Sequence, residues 1–218
     1  MTNNIGTRAE RISDALVHAA GLVAAMAAVP VLLTLAVVWH GNMTAYLAIG
    51  IYGATLLAML VCSTLYHHLP RPTWKPVLLK LDHSAIYIKI AGTYTPFALL
   101  SGGAGAGLVA GLWGAALAGC GLHVFARDRA RWPGFILYLA MGWAGLVLGW
   151  SLFETLSPGV LTLIVAGGVV YTAGTIFFLW ENLPFNTAIW HGFVVLASGL
   201  LFSAVALHLA NTAQVPPL

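Results

Sequence analysis

The sequence predicts an all-α membrane protein, a bundle of seven transmembrane helices with its N-terminus in the cytoplasm and its C-terminus outside. Of 218 residues, 60% are hydrophobic and only 7% charged, whereas a soluble domain carries roughly a quarter charged residues. The mean hydropathy is +0.91. The apolar residues fall into seven stretches of about 20, the length that crosses a hydrocarbon core. Lys and Arg crowd into alternate connections, which orients such helices. A single membrane domain fills residues 1–218, leaving no room for a sizeable soluble domain.

The spans lie near 17–39, 45–67, 82–101, 105–125, 134–152, 158–180 and 189–209. Turn chemistry or charge separates each pair. The breaks are Gly41-Asn42, then Pro70-Arg71-Pro72 through Lys80, then Ser101-Gly102-Gly103. Next come Arg127 to Arg131 with Trp132-Pro133, then Ser157-Pro158-Gly159, and last Glu181 to Phe185 around Pro184. The first fourteen residues are polar and of mixed charge, and no small-residue cleavage site precedes a short apolar core. The first span is therefore expected to be retained rather than removed as a signal peptide.

Arg8 and Arg11 precede span 1; Arg71, Lys75 and Lys80 separate spans 2 and 3; Arg127, Arg129 and Arg131 separate spans 4 and 5. The opposite connections contain no Lys or Arg, so these three regions are expected in the cytoplasm. Of the nine basic residues only Lys89, inside span 3, departs from this distribution. The net charge of +3 thus reports topology rather than an affinity for nucleic acid. The expected setting is the inner (plasma) membrane, with membrane lipids as partners and no nucleic acid. Cys62 and Cys120 fall on the reducing side, so no disulfide is expected.

In this orientation four spans end on the cytoplasmic side in polar, ionisable residues. They are His18 in span 1, Ser63 and His67 in span 2, Asp82 and His83 in span 3, and His191 in span 7. Hydrocarbon penalises such groups, so they gather with one another, with water or with a metal. Ser63 and His67 are four apart and share a helix face, as do Glu10, Asp14 and His18. Imidazole and carboxylate at one depth are the donor types of a zinc site. Each residue also has an ordinary reading. His68 is expected at the interface, His40 and His208 solvated at the far surface, and His123 packed at the end of span 4. Asp82 alone suits a helix N-terminus, and Ser63 alone could bond its own helix. Their coincidence at one level points to a shared site.

The run Leu81-Asp82-His83-Ser84-Ala85-Ile86-Tyr87, continuing into Ile90-Ala91-Gly92-Thr93-Tyr94-Thr95-Pro96-Phe97, resembles the signature third helix of the bacterial hemolysin III family. That family is grouped with the progestin and adiponectin receptors and, more distantly, the alkaline ceramidases. Ser63 through His67 matches its S-x3-H element, and Pro184-Phe185 through Ala188-Ile189-Trp190-His191 matches the start of its seventh helix. Glu10, Asp14 and His18 fit an E-x3-N-x3-H element with Asp in place of Asn. The resemblance implies a seven-helix fold with a cytoplasmic-side zinc held by three histidines, and an aspartate and a serine touching the metal's water. His67 and His191 would be two of the ligands, Asp82 the aspartate and Ser63 the serine. The third histidine is expected four residues before His191, where this chain has Thr187; a further histidine common in bacterial members falls where it reads Leu201-Phe202. A water or Asp82 could complete the shell, His83, His18 or His123 could move in, or no zinc would bind.

Zinc would lower the pKa of a bound water to roughly 7 and polarise an acyl carbonyl, with Asp82 or a neighbouring carboxylate handling the proton and Ser63 orienting the water or stabilising an oxyanion. Serine as the nucleophile lacks a carboxylate-oriented base. A site inside a lipid-facing bundle suits a lipid amide or ester, which the similarity to ceramidases also implies. A non-catalytic sensor or keeper of bilayer state is the alternative, with the polar layer as structural glue. A cytolytic pore is the third reading, but no helix repeats a polar face suited to lining a wide channel. Lys89 lies seven residues beyond Asp82 on one helix face, about 10 Å along the axis. It either reaches water or backbone carbonyls, or stands as a buried cation that binds a carboxylate or lipid headgroup.

The orientation is directly testable in a background lacking Cys62 and Cys120. In intact cells a membrane-impermeant thiol reagent should label Asn211→Cys and leave Thr73→Cys untouched until the membrane is opened. Labelling of Thr73→Cys in intact cells would invert the bundle.

Overall fold

Residues 7–125 and 131–213 are described by the structure, a computed structural model. Segment 126–130, with Arg127 and Arg129 of the expected topology, lies outside the described residues, as does the tail from 214. Among the described residues eight helices follow in order: α1 (Arg8–His40), α2 (Met43–His68), α3 (Lys75–Leu100), α4 (Ala106–Phe125), α5 (Arg131–Leu148), α6 (Trp150–Phe153), α7 (Pro158–Leu179) and α8 (Asn186–Asn211). Five of them, α1, α2, α4, α7 and α8, are long and apolar enough to cross a membrane. The protein is a multi-pass helical membrane protein.

Local chemistry explains the ends. α1 begins at Arg8 rather than near residue 17 because Thr7 and Glu10 form a capping box, each side chain accepting from the other's backbone N–H. It stops at Gly41, whose φ of 60° is the left-handed conformation that glycine adopts without strain. Asn42 caps α2 by accepting from the Ala45 N–H at 2.9 Å. The single span expected over 134–152 is instead divided at Gly149 into α5 and the one-turn α6; apart from proline, glycine is the poorest helix former.

Burial on α1 is inside-out by the standard of a water-soluble protein. Asp14, His18, Gly21, Ala25, Val29, Leu32, Ala36 and His40 form one inward stripe at helical spacing. His18 is 4% exposed while Leu16, on the opposite face, is 65% exposed. Polar groups turned inward and aliphatic ones outward fit a hydrocarbon surround.

The helices pack in sequence around a ring: α1 on α2, α2 on α3, α3 on α4, α4 on α5, α5 on α7 and α7 on α8, closed by α8 against α1. α3 also reaches across to α5 and α8. Every residue from Ala91 through Ala98 is buried, so neighbours surround this part of α3. That position explains its composition. A helix shielded from lipid can carry Asp82, Lys89, Thr93 and Thr95, which leaves α3 too polar for the five-helix set despite its 26 residues.

α3 meets α2 at Gly92, where a Cβ would collide with Thr55 Oγ1 and lie 2.9 Å from Thr55 Cβ. Small residues at such crossings let helix backbones approach. Gly92→Val should lower stability by about 1–3 kcal/mol through overpacking, and Thr55→Gly in the same chain should recover part of it. Gly50→Ala, where a Cβ meets nothing within 4 Å, should change little. Unfolding of the purified protein in detergent measures all four forms, and an unaffected Gly92→Val would disprove the close crossing.

Candidate functional site

Asp14, one turn before His18 on α1, is the centre of a buried polar cluster. Its Oδ1 accepts from His191 Nδ1 on α8 at 2.7 Å, joining the first helix to the last. Its Oδ2 lies 3.3 Å from His68 Nε2 and 4.0 Å from His67 Nδ1, both at the end of α2. His18 adds its Nδ1 at 3.6 Å from Oδ1 and 2.9 Å from the Asp14 backbone carbonyl. One carboxylate thus gathers four imidazoles from three helices. The helical i,i+4 step puts Asp14 and His18 on one face, and the closure of α8 on α1 sets that face against His191.

His191 meets both His18 and His67 edge to face, and His18 and His67 are tilted to each other. Centroids of His18 and His191 lie 4.2 Å apart, those of His67 and His191 4.6 Å, and those of His18 and His67 5.5 Å. One donor atom each from Asp14, His18 and His191 falls within 4.8 Å of the others, near enough to converge on a single metal ion. Asp14 and His191 are nearer than two donors on one tetrahedral zinc, which sit about 3.3 Å apart for bonds of 2.0–2.1 Å. Their contact is therefore a hydrogen bond, the kind by which a carboxylate fixes a ligating imidazole. With Nδ1 of His191 turned to Asp14, Nε2 is its free donor.

On the other side of these rings is a cavity of about 380 Å³. Ser63, His67, Asp82, Thr187 and His191 line its polar end. Ser63 is the link between layers: its Oγ sits 3.2 Å from His18 Nε2, and it lines the cavity together with Asp82. From Asp82 the lining runs along α3 to Phe97, and along α8 from Asn186 to Leu201. Each stretch covers fifteen residue steps, roughly 22 Å at the helical rise. The walls beyond the polar end are mainly aliphatic and aromatic, from α2, α3, α5, α7 and α8.

Several residues stand elsewhere than the sequence reading put them. His68 is not an interfacial bystander; besides Asp14 it meets His18, Nε2 to Nδ1 at 3.3 Å. His40 and His208 are buried rather than solvated, at 9% and 2% exposed. They tie the far ends of the helices together, His40 Nε2 to the Leu209 carbonyl at 3.0 Å and His208 Nε2 to Ser101 Oγ at 3.3 Å. Glu10, placed at the mouth of the polar stripe, serves backbone instead. Its Oε1 accepts from the Phe185 N–H at 3.0 Å, holding that residue at φ 61° just before α8. His83 lines the cavity but pairs with His123, centroids 4.9 Å apart, and His123 Nε2 meets Tyr87 Oη at 3.0 Å. Thr187 Oγ1 bonds its neighbour Asn186 at 3.2 Å. Cys62 and Cys120 are free thiols.

Lys89 is 3% exposed and lines the cavity. Its Nζ donates to Tyr171 Oη at 3.2 Å and stands 4.5 Å from that ring's centroid. Tyr171 in turn meets Ser198 Oγ at 3.2 Å. No sequence pattern marks Tyr171 or Ser198, since only the packing of α3, α7 and α8 joins them. His68 was the legible omission, an imidazole next to His67.

Comparison with known proteins bears on the same residues. A model of the family described as Haemolysin-III related matches residues 8–202, from the first turn of α1 to beyond His191 on α8. The chain is 38% identical over 207 residues to Hemolysin-3 of Bacillus cereus, covering 94% of each chain. It is 36% identical over 198 residues to a Hemolysin-3 homolog of Bacillus subtilis (strain 168), covering 90% of this chain and 92% of that one. The monocyte to macrophage differentiation factor of Homo sapiens is 29% identical over 167 residues, 71% of this chain and 67% of that protein. The Asp14 cluster and the long apolar-walled cavity are therefore features of a chain that belongs to the hemolysin III family.

Proposed function

We propose that this protein is a zinc-dependent membrane hydrolase that cleaves a lipid amide or ester at the polar end of the cavity, on the cytoplasmic side of a bundle crossing the membrane seven times. The observation that carries this reading is the meeting of His67, His191, Asp82 and Ser63 at one end of a cavity whose other walls are apolar. The donor set fits the metal: imidazole nitrogens and carboxylate oxygens are its usual partners. His67 and His191 would hold it from the cavity side. The third imidazole, absent at Thr187, is supplied in this reading by His18, whose ring completes the triangle with the other two. Zinc bound there would activate a water at neutral pH and polarise the acyl carbonyl.

The chain's own groups do the rest. Asp14 holds His191 Nδ1 and thereby fixes the direction of Nε2. Asp82 takes a proton from the attacking water and returns it to the departing amine or alcohol. Ser63, hydrogen-bonded to His18 and lining the same end of the cavity as Asp82, orients the water or stabilises the oxyanion. The apolar walls take the acyl chain and keep bulk water from the reacting carbonyl.

One observation favours the second reading, a non-catalytic sensor or keeper of bilayer state. The Asp14 carboxylate already has imidazole partners, His191 at 2.7 Å and His68 at 3.3 Å, so it can serve as glue without a metal.

Metal analysis and turnover of a lipid amide or ester by purified protein separate the two. His67→Ala and His191→Ala should each lose most of the zinc, while His40→Ala and His208→Ala keep it. Asp82→Asn should keep zinc and lose hydrolysis. Thr187→His, one turn from His191, should change zinc retention little, because His18 already fills the third position; tightening by about 10- to 100-fold would mean that a water or weak ligand stands there instead. Equal zinc in the wild type and the His67→Ala/His191→Ala double variant would leave the structural reading standing.

A further inference from the structure

Burying a charge among apolar walls is costly unless something opposite in sign meets it. Lys89 is such a charge, and its surroundings are rich in donors. An ammonium offers three hydrogens, of which one reaches Tyr171 Oη. Among the described residues no carboxylate pairs with Lys89. Tyr171 and Ser198 share one further hydrogen bond. Lys89 thus has one hydrogen-bond acceptor, Tyr171 Oη, and no opposing charge among the described residues.

The geometry points to a ligand: we propose that Lys89, with the Tyr171 hydroxyl beside it, is an anion seat in the cavity for the carboxylate of a single-chain lipid acid. A carboxylate matches the seat in charge, one negative against one positive, where a phosphate monoester would bring nearly two. It also matches in donors, since its two oxygens can take both unused Nζ hydrogens at once. The walls beside Lys89 select an apolar body: Ile86, Ile90 and Phe97 from α3, with Leu139, Ile164 and Leu201 facing them. From Lys89 to Phe97 the lining continues for eight residues, roughly 12 Å at the helical rise, so the chain lies away from the histidines. The seat is about 10 Å from Asp82 by the same measure and needs neither a metal nor hydrolysis.

The test is titration of purified full-length protein in a neutral detergent with dodecanoate, dodecanol and monododecyl phosphate, before and after treatment with a chelator. Dodecanoate should bind best of the three, equally well after chelation. Lys89→Met should weaken it about tenfold or more, the loss expected from one charge-assisted contact, while leaving dodecanol unchanged. Lys89→Arg should keep the preference for dodecanoate, which covers the case in which Lys89→Met fails to fold. Equal binding of dodecanoate and dodecanol would overturn the proposal, as would undiminished dodecanoate binding by Lys89→Met. Tighter binding of the phosphate would overturn the carboxylate assignment. Loss of dodecanoate binding on chelation would place the anion at the histidines instead of at Lys89.

Discussion

The hydrogen bond between Asp14 and His191 is the constraint from which the rest of the arrangement follows. It joins α1 to α8, the two ends of the described chain, at a buried carboxylate. A carboxylate surrounded by hydrocarbon must find partners, and Asp14 finds them in imidazoles from α1, α2 and α8. Meeting that need brings the three helices to one rotation and one depth. The same face of α1 carries small residues, Gly21 and Ala25, below the cluster, so the backbones can approach while the polar ends stay paired.

Closing the ring in this way creates the inside that α3 occupies. Shielded by its neighbours, α3 can bear Asp82 at the level of the histidines and Lys89 two turns further on, both facing one cavity. A polar end, a cationic middle and apolar walls follow each other along its length. The order suits an amphiphile lying parallel to the helices, and the proposed hydrolysis at the histidine end and the proposed anion capture at Lys89 would be separable uses of that space. At the opposite face of the bundle, His40 and His208 repeat the stapling on a smaller scale through a backbone carbonyl and a serine.

Much of this was legible in residue order because membrane helices are written in composition. Length, apolarity and breakers such as Gly41-Asn42 and Ser157-Pro158 mark the segments locally. The first turns of α1 were hidden behind Arg8, Glu10 and Arg11, whose charge argues against a span but not against a helix that continues beyond the apolar stretch. Ser63, His67, Asp82 and His191 were readable because motif spacing fixes their helix faces. The central position of Asp14 was not, since it depends on α8 closing against α1, which no local pattern encodes. For the same reason the pairing of His83 with His123, the burial of His40 and His208, and the Tyr171 partner of Lys89 emerge only from packing.

A double-mutant cycle on Asp14 and His191 tests the central claim most directly. Asp14→Ala, His191→Ala and the double variant would be compared with the wild type by chemical unfolding in mixed detergent. A shared buried hydrogen bond predicts that the double variant is less destabilised than the sum of the singles, by a coupling of about 0.5–3 kcal/mol. Additivity within about 0.5 kcal/mol would mean that the two residues act independently and that the bundle is not closed through them.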